Sequence, residues 1–263
     1  MKNILIGVSL ACALTLAGCG GGDDKVTTAD TSSSAPAAGG PAAAPDMENG
    51  ATITGKVTLD GAAPVMKAID MSANAFCVRV HPTPEKSQEV QLGAGGAVKD
   101  VFVWIKAGDA VTSKTWQAPT TAVTIDQHGC MYNPHVLGVM TGQNIDIKTS
   151  DQTNHNIQTF PTVNQAWNES QPPGSEDKVK TFARQEVMIP VKCQIHPWMK
   201  AYIGVVSHPF FAVTGDDGTF TIKGLPAGTY TLEFWQEKYG PQDQQVTVAP
   251  KDSKTVNYAF KAS

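Results

Sequence analysis

The 263-residue chain carries 20 Lys and Arg against 24 Asp and Glu, a formal charge of −4. Its few basic residues are scattered, so it lacks the cationic face that nucleic-acid binding requires, and that class is excluded.

The chain opens with Lys2, an apolar run from Ile4 to Leu16, and Leu16-Ala17-Gly18-Cys19. That run is too short to span a bilayer comfortably and ends in small residues rather than charges, which reads as an export signal over 1–19. The segment resembles a bacterial lipoprotein signal. The resemblance implies a lipid on Cys19 and a location outside the cytoplasm, at the periplasmic face of the outer membrane or the cell surface. A cleaved secretory signal with Cys19 as a bystander is the alternative. Loss of Lys2 with the signal takes the formal charge from −4 to −5. Residues 20–48 are Gly, Ala, Ser, Thr, Asp and Pro with almost no large apolar side chain, the composition of a flexible linker.

From Asn49 onward, short runs rich in Val, Ile, Thr, Phe and Tyr alternate with Gly, Pro, Asn and Asp. No amphipathic helix exceeds two turns, so the expected class is all-β, with length for two small cores. Strands are expected at Ile53–Leu59 and Val98–Ile105. After Cys12 and Cys19 are set aside, three cysteines remain, Cys77, Cys130 and Cys193. In an oxidising compartment two can pair, and the odd thiol needs an occupant. A Cys77–Cys130 disulfide is the favoured reading. The alternative joins Cys77, His81, Cys130 and His135 into a second metal site, but neither spacing has the two-residue gap of a zinc loop. His128 and His208, beside Gly129 and Pro209, are expected to face solvent.

Val191-Lys192-Cys193-Gln194-Ile195-His196-Pro197-Trp198-Met199 contains Cys-x2-His-x2-Met, which can wrap one small ion. Thiolate, imidazole and thioether form a soft donor set suited to copper, and a His2Cys plane with a weak axial Met lacks one histidine, for which His155 is the upstream candidate. A buried free thiol with Met199 as core filler, or a zinc site, are the competing readings. His155-Asn156-Ile157 followed by this loop resembles the cupredoxins, and the short ligand loop is most similar to that of amicyanins. The match runs from Val123 to Val206 and includes the strand and Gly-turn entry from Asn133 to Ile147. The resemblance implies copper ligands His155, Cys193, His196 and Met199, with Asn156 bracing the site through hydrogen bonds.

Asp216-Asp217-Gly218-Thr219-Phe220 and Gly224-Leu225-Pro226-Ala227-Gly228-Thr229-Tyr230 bracket a hairpin. This pattern resembles the carboxypeptidase regulatory-like (transthyretin-like) β-sandwich, whose opening Gly-x-Val strand is found far upstream at Gly55-Lys56-Val57. The expected organisation is a sandwich split between 49–114 and 210–263, with a cupredoxin-like Greek-key copper domain at 115–209 inserted between its halves. Two sandwiches in sequence, or one fused sandwich, are the alternatives.

The cupredoxin resemblance implies a one-electron carrier rather than an enzyme. His196 would then be the electron port at the surface, and Pro197 and Trp198 an apolar rim for a redox partner protein. Copper storage or delivery with the same ligands, and a structural or carbohydrate-adhering surface module, are the other classes.

Overall fold

The computed structural model describes residues 42–262; the signal, Cys19 and linker residues up to 41 lie outside the described residues. Among the described residues the fold is all-β, with four sheets, two short helices (Ala75–Val80 and Asp109–Thr112) and one 3-10 turn. Among the described residues no helix is long and apolar enough to cross a membrane.

Strand Ala51–Asp60 alternates buried and half-exposed positions along nearly its whole length, the period-two pattern of a strand with one face on a core. It pairs antiparallel with Thr219–Leu225, Ile53 opposite Ile222, and parallel with Ser253–Thr255 and Tyr258–Lys261. A Cβ on Gly55 would fall 1.8 Å from the Val256 carbonyl oxygen and 2.6 Å from the Phe220 ring. The glycine of the Gly-x-Val pattern is therefore required by close backbone approach. The facing sheet orders Phe211–Val213, Phe102–Ala107, Gly228–Gln236 and Gly240–Val248. Ile53, Val57 and Ile222 meet Val103, Ile105 and Leu232 in a common core, so strands from both ends of the described chain build one sandwich.

The second sandwich packs a five-stranded sheet on a four-stranded one. The first orders Val136–Met140, Lys200–Val206, Glu186–Lys192, His155–Thr159 and Asn168–Gln171. The second orders Met131–Asn133, Val123–His128, Ile145–Thr149 and Lys178–Lys180. Ile125, Ile147, Ile157, Val191 and Ile203 share its core.

A third apolar cluster, beyond the two cores expected, joins the sandwiches. Strand Phe102–Ala107 is buried on both faces through Phe102, Val103, Trp104 and Ile105. Val103 and Ile105 enter the first core, while Phe102 and Trp104 pack with Val136, Met188 and Val206 of the second sandwich. Such an unbroken apolar run is what a doubly covered strand needs. Gly138 and Gly204 lie opposite each other in parallel strands. A Cβ on Gly204 would sit 2.6 Å from the Phe102 ring, and one on Gly138 would sit 2.4 Å from the Phe211 ring.

Four expectations need correction. The strand expected at Val98–Ile105 starts only at Phe102, because Asp100 adopts a left-handed φ of 60° that breaks the extended run. The linker does not run free to residue 48. Ala43 donates its N–H to Thr115 and accepts from Gln117, and the Asp46 carboxylate accepts the N–H groups of Glu48 and Asn49. Part of the 49–114 segment leaves the first sandwich, since Met71 and Cys77 are buried in the second core with Phe76 packed against it. The Cys77–Cys130 disulfide ties it there. His208 is buried, not solvent-facing: it bonds to the Ile105 carbonyl at 2.9 Å beside Trp104, and burial pushes its pKa down to about 4. His128 is exposed.

Candidate metal centre

Two strands of the five-stranded sheet and the loop after them bring His155, Cys193 and His196 together. His155 opens strand His155–Thr159 and Cys193 follows Glu186–Lys192, while Met199, which precedes Lys200–Val206, is buried in the same core. The intervening loop is closed by Cys193 N–H donating to the Met199 carbonyl at 3.1 Å and Met199 N–H donating to the His196 carbonyl at 2.9 Å. His155, Cys193, His196 and Met199 are 0%, 4%, 1% and 0% exposed.

The His155 and His196 Nδ1 atoms are 3.1 Å apart, and Cys193 Sγ lies 3.9 Å from His196 Nδ1. One donor atom from each of the three residues lies within 4.8 Å of the others. These separations let two nitrogens and a sulfur each reach one ion at the ~2.0–2.3 Å typical of metal–imidazole and metal–thiolate bonds. Cys130, Asp151 and His155 form a second close trio, but the Cys130 sulfur is committed to the disulfide.

Burial by itself would raise the Cys193 pKa. Hydrogen bonds from the His155 and His196 rings and from the His196 and Ile195 amides outweigh it and bring the thiol down to about 5. The His196 N–H points at Sγ from 3.4 Å. Cys193 is thus held as the thiolate, the form that ligates metal. His155 is opposed by burial, but Asp151 and the thiolate raise its pKa.

Around these donors lies a buried hydrogen-bond shell. Asp151, 3% exposed, accepts from His155 Nε2 at 2.8 Å, Gly129 N at 2.8 Å and Cys130 N at 2.7 Å. It leaves Nδ1 of His155 free for the donor cluster, the orienting role of a carboxylate behind a ligand histidine. Asn156 receives the Gln194 N–H at 3.1 Å on its Oδ1, while its Nδ2 donates to Asn168 and to the Glu169 carbonyl. Tyr132 donates its hydroxyl to the Asn156 carbonyl at 2.5 Å.

His196 does not reach the surface, contrary to the expectation of an electron port there. The helix Ala75–Val80 covers it. Asn74 Oδ1 caps this helix by accepting from Phe76 N and Cys77 N, and its Nδ2 lies 2.9 Å from His196 Nε2. Cys77 Sγ lies 3.7 Å from the same nitrogen.

Residues 200–261 match the carboxypeptidase regulatory-like domain family. That match begins in strand Lys200–Val206 of the donor-bearing sheet and runs through the strands that pair with Ala51–Asp60 and Phe102–Ala107. Among solved structures, a variant of amicyanin in its Cu(I) form is 19% identical over 32% of this chain and 81% of its own, with a TM-score of 0.28. A purple cupredoxin from Nitrosopumilus maritimus is 20% identical over 32% of this chain and 98% of its own, with a TM-score of 0.27. A copper-containing nitrite reductase from Thermus scotoductus is 24% identical over 38% of this chain and 25% of its own, with a TM-score of 0.29. At such scores these likenesses carry no argument about the site, which rests on its own geometry. No curated protein matches the chain.

Sequence reading missed Asp151, Asn74 and Tyr132. Asp151 had a usable signal, a lone carboxylate four residues before His155 in a polar turn. Asn74 had a weaker one, an N-cap residue three before Cys77. Tyr132 is set by sandwich packing and had none.

Proposed function

We propose that this protein is an extracytoplasmic copper-binding electron carrier, anchored to the membrane by lipid on Cys19 and not an enzyme. The observation that carries the reading is the convergence of two imidazole Nδ1 atoms and a thiolate in a dry pocket. His155, Cys193 and His196 would hold the ion, with the Met199 thioether as a weak fourth donor. Copper in such a set supplies a one-electron couple with little rearrangement between its two states.

The chain's own residues supply rigidity. Asp151 fixes the His155 ring from behind, and Asn156 holds the amide that follows Cys193. The disulfide-bound helix and the surrounding apolar side chains keep water from the donors. The carrier serves a redox partner outside the cytoplasm.

The test is a visible absorption spectrum of the copper-loaded protein with reversible reduction. Wild type should show an intense thiolate-to-Cu(II) band, and Cys193→Ser should lose it. A band that survives in the variant refutes the ligand assignment. Colourless, readily exchanged copper points instead to storage or delivery, and preference for zinc removes the redox reading.

A further inference from the structure

Burial of His196 removes the most direct contact between the donor cluster and a partner. Within the loop 193–199, the side chains not buried are Gln194, Ile195, Pro197 and Trp198. Ile195 is 48% exposed, but it is a saturated chain. Trp198 differs, because its ring centroid lies 5.1 Å from that of His196 and its Nε1–H donates to the Cys130 carbonyl at 3.0 Å. The indole is therefore fixed against a donor histidine on one side.

Trp198 also lines a cleft of about 510 Å³ between the segment 67–88 and the loop 193–199. That volume lies in the range of small-molecule sites. Ile69, Met131 and Pro197 add apolar lining, and Lys67, Lys192 and Lys200 add cations against the one acid, Asp70. Lys200 is neutralised from behind by Glu237. Neither Lys67 nor Lys192 has a carboxylate within 4.0 Å among the described residues; the Lys192 ammonium also lies 5.4 Å from the ring of Phe160, which stands outside the cleft. On a chain of formal charge −4, this is a locally cationic cleft with the Trp198 indole in its wall.

We propose that Trp198, rather than His196, is the electron exit, and that its cleft receives a small redox-active anion held by Lys67 and Lys192. The proposal rests on the copper reading for its redox half, while the anion half stands on the cleft. In the step to be measured, the reduced site loses one electron and the oxidant in the cleft gains it, with no bond made or broken. A compact anion fits a concave site better than a flat protein face does. Opposite charge raises its local concentration and its encounter rate, an effect that weakens with salt.

Two measurements on the full chain separate these halves. In the metal-free protein, the Trp198 indole N–H resonance should shift saturably as redox-inert hexacyanocobaltate(III) is added, and Lys67→Glu/Lys192→Glu should abolish the shift. A shift that fails to saturate, or that survives the charge reversal, overturns the anion site. In the reduced copper-loaded protein, oxidation by hexacyanoferrate(III) should slow at least tenfold in Trp198→Leu and in the double charge reversal. Oxidation by the cationic tris(phenanthroline)cobalt(III) should slow in Trp198→Leu but not in the charge reversal. A wild-type rate in Trp198→Leu overturns the exit, and a wild-type hexacyanoferrate(III) rate in the charge reversal overturns the anion's part in it. If Trp198→Leu does not fold, Trp198→Met replaces it under the same criterion. A wild-type protein with no thiolate band fails the copper reading instead, and the hexacyanocobaltate titration still judges the cleft.

Discussion

Replacing Asp151 by Ala tests whether the shell behind His155 is a working part of the site. The carboxylate is 3% exposed and accepts three hydrogen bonds of 2.7–2.8 Å, two from backbone N–H groups and one from His155. Truncation leaves two buried donors and the part-buried Gly129 N–H without an acceptor, at about 1–3 kcal/mol for each buried one. They share one small space that a single water can partly serve, so the expected loss for the metal-free protein is about 3–5 kcal/mol. That is a large part of the ~5–15 kcal/mol that holds a typical domain folded. Copper affinity should fall about 10–100-fold, the usual consequence of removing the partner of a ligand histidine. Asp151→Asn keeps the shape but turns one acceptor into a donor facing donors, and should lie between wild type and Ala. Urea denaturation reads the first effect, and competition with a chelator of known copper affinity reads the second. Wild-type affinity in a folded Asp151→Ala protein refutes the orienting role. A loss of less than about 1 kcal/mol refutes the count of stranded donors.

Three further outcomes are expected. Gly204→Ala places a methyl 2.6 Å from the Phe102 ring and should cost about 1–3 kcal/mol by urea denaturation, whereas Gly142→Ala, with nothing within 4 Å, should show only the smaller cost of its positive φ. Burial opposes the charge on Glu237, but hydrogen bonds from His135 and Lys200 hold its pKa at about 2, below the ordinary 4.5. Its contribution is therefore present above pH 4.5 and lost as pH falls toward 2, so thermal midpoints should drop across that window in wild type and drop less in Glu237→Gln. Cys19→Ala should move the protein from the membrane fraction to the soluble one or leave it unprocessed; unchanged fractionation refutes the anchor.

The convergence of His155, Cys193 and His196 was legible because a soft set of chemistries is compressed into a short loop. Cys193, His196 and Met199 lie at fixed spacing, and a His2Cys plane built on them lacks one histidine, for which His155 is the upstream candidate. The Gly-x-Val strand and the Asp-Gly hairpin were legible for a similar reason, since each pairs a period-two pattern with a glycine that only backbone contact explains. What escaped notice depends on surfaces made by folding. Pattern marks Phe102-Val103-Trp104-Ile105 as a strand but does not reveal that its two faces serve different cores. The cover over His196 was equally hidden. Ala75–Val80 is six residues long, too short for a helical period, and the disulfide fixes its distance from Cys130 without saying what lies between.

The two sandwiches are also coupled beside the loop 193–199, and this bears on what the candidate site can do. His135 immediately precedes the edge strand Val136–Met140, Lys200 opens the neighbouring strand, and Glu237, in the turn after Gly228–Gln236 of the other sandwich, pairs with both. Tyr202 and Trp235 meet beside them with ring centroids 4.9 Å apart. Lys200 directly follows Met199, and the N–H of Tyr202 donates to the His135 carbonyl at 2.9 Å. The strand leaving the ligand loop is therefore clamped by the other sandwich within a few residues of the last donor. A close-packed interior resists small displacements, because each shift opens a gap or forces a clash. Donors held at both ends, by the disulfide-bound helix over His196 and by this clamp below Met199, have little room to rearrange. For a one-electron centre, restricted rearrangement between oxidation states lowers the barrier to transfer. If the site carries copper as proposed, the sandwich built from strands at both ends of the described chain acts as its brace, and its fusion to the body that holds His155, Cys193 and His196 has a mechanical reason.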